Sequence, residues 1–243
     1  SFDNRTRLFR DIVSGIRSRC TKLDVGVRVS LVDVFPHSAN PETRVGEPAD
    51  WQRHVPYDLG FGVDPDDPRR FDFRDGLRFL GLVESLGIRL VNLTLGSPYY
   101  CPHLQRPAAY PPSDGYLPPE DPLLGVMAHL DCARRAKAAF PGLVIVGTGY
   151  SYLQEYLPHV AQYEVGQGHV DVVGLGRMSL VYPDLAQDVL DVKTLEKRRI
   201  CRTFSDCTTA PRNGMVSGCY PLDLHYKNSP EAKRLKLIKK EQR

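Results

Sequence analysis

Two glycine-bearing segments carry the residue types best suited to holding a phosphate. The first is Val170-Asp171-Val172-Val173-Gly174-Leu175-Gly176-Arg177, an apolar run that ends in Gly-x-Gly-Arg. Such a run reads as a strand buried on both faces, whose glycines let the backbone crowd against something at its carboxyl end. Gly176 offers a bare N–H, and Arg177 a charged fork that can grip phosphate oxygens at two points. The second is Leu143-Val144-Ile145-Val146-Gly147-Thr148-Gly149, whose last glycine stands 27 residues before Gly176. Consecutive strand ends of this kind are what a barrel uses when the loops after its last two strands hold a phosphate group. Arg28 is a third candidate, because it interrupts the alternating, β-branched stretch 23–31. An arginine in a central strand is costly to bury unless it meets an anion or several acceptors. It is therefore either half of a structural ion pair or a cation aimed at a ligand.

The elements that must position these residues alternate along the chain. Asp3 or Asn4 can cap a helix running to about residue 20, with Leu8, Ile12, Val13 and Ile16 on one face. A strand over 23–31 follows, then a long irregular stretch over 33–75. The pattern resumes with a helix over 74–86 closed by Gly87, a strand over 89–95, and a second irregular stretch over 97–121 with seven prolines. Pro122 opens a helix to residue 140, followed by the strand 143–149, a helix over 153–166 and the strand at 170–176. Strict alternation implies an α/β fold of parallel strands with right-handed crossovers and outer helices. Four such strands make half of an eight-stranded barrel, and both long loops then fall on the carboxyl face that carries barrel chemistry. In the second loop Tyr99, Tyr100 and His103 could reach a substrate or, more simply, pack within the loop.

Composition bounds the rest. The 243 residues are 25% charged, and no apolar run approaches the roughly 20 residues of a membrane span. Of the net charge of +3, residues 227–243 carry seven basic against two acidic side chains. The body is thus near neutral, which argues against a nucleic-acid-binding face, and the tail reads as a short solvated amphipathic helix. Six scattered cysteines make no disulfide framework, so a reducing cytoplasm is the default compartment. His54, His129, His159, His169 and His225 show no metal-ligand spacing, and no metal site is expected; Cys20, Cys101 and Cys132 read as simple thiols. A chain that begins at Ser1 and opens almost directly on a helix points to a missing upstream segment.

Several motifs in order resemble one family. Asp3-Asn4-Arg5-Thr6-Arg7 before a helix, Val25-Gly26-Val27-Arg28-Val29-Ser30 on a strand, the strand 143–149, and Gly174-Leu175-Gly176-Arg177 with Tyr182-Pro183-Asp184-Leu185 are similar to the old yellow enzyme family of FMN-dependent oxidoreductases. The likeness is closest to its NADH:flavin oxidoreductase and 2,4-dienoyl-CoA reductase branch. It spans residues 1–225, leaves 226–243 as a basic C-terminal tail, and covers the C-terminal half of the family's (β/α)8 TIM barrel.

The resemblance implies a small-molecule redox enzyme in which NAD(P)H passes hydride through FMN to an activated alkene or similar acceptor. It implies that Arg28 lies near the flavin ring, where a cation stabilises the negative charge of the reduced form. The backbone of Thr148, Gly149 and Tyr150, with Gly176 and Arg177, would hold the phosphate. The family's substrate-anchoring histidine pair or His/Asn pair, at the end of its fourth strand, has no counterpart in this sequence. The chain alone is therefore expected to be inactive, and to need a missing N-terminal half-barrel or to self-associate, with no partner in nucleic acid or membrane. Cys201, Cys207 and Cys219 resemble the family's iron–sulfur segment, but Phe204 stands where the second cysteine would be. Four thiolates are the norm, so a complete 4Fe–4S cluster is not expected. Without the resemblance, the same residues fit a phosphate-binding barrel enzyme lacking flavin, or a non-catalytic half-barrel remnant.

Overall fold

The computed structural model describes residues 1–241. In chain order the elements are α1 (Phe2–Arg19), β1 (Gly26–Ser30), β2 (His37–Ala39), β3 (Gly46–Pro48), α2 (Arg74–Ser85), β4 (Leu90–Thr94), α3 (Pro102–Gln105) and α4 (Pro122–Ala139). They continue with β5 (Val144–Gly147), α5 (Leu157–Gly166), β6 (Val172–Val173), α6 (Leu185–Leu190), α7 (Asp206–Arg212), α8 (Leu224–Lys227) and α9 (Pro230–Glu241). The alternating pattern produces one sheet of four parallel strands in the order β1-β4-β5-β6, flanked by helices. Each consecutive pair is joined through a helix, as parallel pairing requires.

The two faces of this sheet differ. Val91, Leu93 and Ile145 point to one face, at most 2% exposed, and pack with Val13 of α1, Leu80 and Val83 of α2, and Ala133 and Ala136 of α4. The opposite face carries the row Arg28, Asn92, Val146 and Val172, one residue from each strand in register. Leu90 and Val172 on that face remain 49% and 46% exposed. Parallel sheets are ordinarily covered on both sides; here helices cover only one.

The structure corrects several sequence expectations. The N-cap of α1 is Ser1, whose Oγ accepts from the Asn4 N–H, so the helix starts ahead of both Asp3 and Asn4. The run at 170–176 was expected to be a strand buried on both faces, yet only Val172 and Val173 pair, and Val172 is half exposed. As the edge strand it has a neighbour on one side alone, and its second face meets no helix. Residues 33–48 are not wholly irregular, because β2 and β3 form an antiparallel hairpin, His37 opposite Pro48. The basic tail is helical, but Ala232 and Leu235 of α9 are buried against Ala210, Met215 and Tyr220. Residues 242–243 of that tail lie outside the described residues. No helix among the described residues is long and apolar enough to cross a membrane.

Candidate functional site

A cleft of about 520 Å³ opens at the carboxyl end of the sheet. Its walls include Arg28, Thr148, Gly149, Gly176 and Arg177, which three separate features of the sequence singled out. Parallel pairing of β5 with β6, Gly147 opposite Val173, sets the two glycine-bearing turns side by side. Gly174 permits the close packing, since a Cβ there would stand 3.1 Å from Val146 and 3.2 Å from the Gly147 carbonyl oxygen. Gly149 turns with φ of +94°, a left-handed conformation that suits glycine, and its Cα faces the His129 ring of α4. The space beside Gly176 is open. Thr148 is fixed by its hydroxyl, which donates to the Leu93 carbonyl at 2.6 Å.

The electrostatics of the cleft are one-sided. Among the described residues three arginines, Arg28, Arg106 and Arg177, line it, and no Asp or Glu does. Arg28 is exposed and makes no ion pair among the described residues; its Nε donates to Asn92 Oδ1 at 3.0 Å, and Asn92 in turn donates to the Val146 carbonyl. Arg177 is more constrained. Its Nη2 donates to the Pro107 carbonyl at 2.8 Å, while Nη1 is buried with no hydrogen-bond partner among the described residues. Burial, with the nearby Arg106 adding repulsion, pushes the Arg177 guanidinium down to about 10. Burial likewise lowers Arg106. Two half-buried guanidiniums with no carboxylate between them form a place where an anion would satisfy an orphaned donor and relieve like-charge repulsion.

Other singled-out residues lie elsewhere. The Tyr150 side chain does not face the cleft: it is 1% exposed, packs over Gly147, and leaves its hydroxyl without a partner. Only its backbone belongs to the turn. Tyr99 and Tyr100 are exposed, whereas His103 is held by Tyr116, its Nδ1 2.7 Å from the hydroxyl, and burial drives it down to about 4. None of the three lines the cleft. Cys201, Cys207 and Cys219 line a small cavity on the far side of Arg177, and Cys207 reaches the cleft as well. Among the described residues no three His, Cys, Asp or Glu side chains are grouped to hold a metal ion.

Sequence reasoning missed Arg106, Asn92, Thr208 and Ser217, all part of the cleft wall. Asn92 carried a signal, being a polar residue within an apolar strand at the same place as Arg28. Arg106 carried none, because it sits in the proline-rich stretch without a periodic pattern. Comparison with family models, curated proteins and solved structures finds no match to this chain.

Proposed function

We propose that the cleft is the phosphate-binding end of an FMN site, and that the chain is a segment of an FMN-dependent oxidoreductase of the old yellow enzyme type. The observation that carries this reading is the partnerless, buried Nη1 of Arg177 in a cleft whose charged groups are all arginines. A site of 300–1,000 Å³ with a few placed polar groups is the usual size for a cofactor. Arg177 and the backbone of Thr148, Gly149, Tyr150 and Gly176 would hold the phosphate. Arg28, braced by Asn92 on the open sheet face, would set a positive charge beside the ring. FMN, when bound, supplies hydride transfer from NAD(P)H to an activated alkene. The chain's own contribution is to bind and orient, with guanidiniums whose charge does not depend on pH near neutrality.

The four-stranded sheet with one face left open supports its being half of a (β/α)8 barrel. The open face would then be covered by a missing N-terminal half-barrel or by another copy of the chain. Phe204, at the position of the absent cysteine, stacks on Tyr110 with ring centroids 5.4 Å apart. We therefore propose no complete 4Fe–4S cluster at Cys201, Cys207 and Cys219; iron and sulfide analysis of anaerobically prepared protein should be substoichiometric, and four irons per chain would contradict it. Titration of the purified chain with FMN should quench and shift the flavin spectrum at one equivalent. Saturable phosphate binding without any flavin response would favour a phosphate-binding barrel without flavin.

A further inference from the structure

A second cavity, of about 550 Å³, lies where α9 meets loops from three parts of the chain, and it shares no lining residue with the arginine cleft. One wall is apolar and aromatic: the Tyr110 and Phe204 rings stack at 5.4 Å and 29°, flanked by Pro111 and Pro112. The wall is held in place from both sides. Ser205 Oγ donates to the Tyr110 carbonyl at 2.6 Å, and the Ser113 N–H donates to Thr209 Oγ1 at 3.1 Å. The facing side is fixed by backbone pairing, in which the Leu117 N–H donates to the Arg44 carbonyl at 2.8 Å. The cavity is therefore built into the fold.

Its polar groups point to one charge type. Arg44 makes no ion pair among the described residues. Ser113 Oγ is buried without a hydrogen-bond partner among the described residues. Lys239 adds a second cation, an ammonium, though Asp206 already engages it, and Asp114 beside Ser113 is engaged by Arg212. Among the described residues no Asp or Glu lines the cavity. We propose that this cavity binds a planar aromatic molecule bearing one acidic group, its ring against Tyr110 and Phe204 and its acid at Arg44 and the Ser113 hydroxyl. Flat rings complement an aromatic and proline wall, and a guanidinium fork matches a carboxylate or sulfonate at two points.

Calorimetry on the full chain, with 2-naphthoate as probe and inorganic phosphate in excess to fill the arginine cleft, tests this. One equivalent of 2-naphthoate should bind, with neutral 2-naphthylmethanol and non-aromatic cyclohexanecarboxylate each at least about tenfold weaker. Arg44 has φ of +61°, so Arg44→Gly suits the backbone, keeps the fold and should weaken 2-naphthoate at least about tenfold. Tyr110→Ser should weaken it through the wall instead of the charge. Absence of 2-naphthoate binding, equal binding of the neutral alcohol, unchanged affinity in Arg44→Gly, or displacement by inorganic phosphate would each overturn the proposal.

Discussion

Arg177 donates to Pro107 from one nitrogen and leaves the other buried with nothing to donate to. An unsatisfied buried donor costs roughly 1–3 kcal/mol, more when it is charged. Such a residue is better explained by what it binds than by what it stabilises. Arg177→Met should accordingly weaken phosphate binding at least about tenfold in calorimetry while leaving the urea midpoint unchanged or raised. A large loss of stability with phosphate affinity intact would make Arg177 a packing residue. His129 gives a different signature. Its Nδ1 is 2.8 Å from the Gly125 carbonyl, and burial, with Arg177 and Arg28 nearby, pushes it down to about 4. An unfolded histidine takes up its proton near pH 6.5, so between the two values the unfolded chain binds a proton that the folded chain refuses. Stability is thus whole above about pH 6.5 and is lost as the pH falls toward 4, by about 2 kcal/mol between pH 7 and pH 5. His129→Gln should flatten that slope in urea titrations at the two pH values; an unchanged slope would assign it to other groups, His103 first.

At the scale of elements, the turn after β5 and the loop between β3 and α2 each depend on one left-handed glycine. A Cβ at Gly149 would stand 3.0 Å from the His129 ring, with φ at +94°. A Cβ at Gly62 would stand 2.1 Å from the Leu31 carbonyl oxygen, with φ at +71°. Gly149→Ala is predicted to cost roughly 1–3 kcal/mol, since a side chain can give a little, and Gly62→Ala more than roughly 4 kcal/mol, since backbone cannot. Urea denaturation of the two variants checks the order; the reverse order would contradict it. The glycine-bearing ends of β5 and β6 were legible because Gly-x-Gly-Arg and Gly-Thr-Gly are dense, local signals. The helices α2 and α4 were legible from Gly87 and Pro122, which punctuate them. The β2–β3 hairpin was not, because three-residue strands are too short to show a period of two. The extent of β6 was overread, because an apolar run records what a strand could bury and not whether anything covers it. Arg106 entered the site only through the path of the 97–121 loop, which no local pattern encodes.

For the whole molecule, the unequal faces of the sheet matter most. Leu90 and Val172 lie half exposed on the uncovered face, and full burial of such a side chain is worth roughly 1.5–3 kcal/mol. The chain should therefore self-associate at tens of micromolar in analytical ultracentrifugation, and Leu90→Lys should shift it toward monomer. A wild-type chain that stays monomeric across that range would mean that the open face is stable in water. The most direct test of the account is equilibrium dialysis of the chain against FMN and against riboflavin, which differ only in the phosphate. The arginine cleft predicts that FMN binds at least about tenfold more tightly than riboflavin, and that Arg177→Met abolishes the difference. Equal binding of the two, or no flavin binding at all, would contradict it.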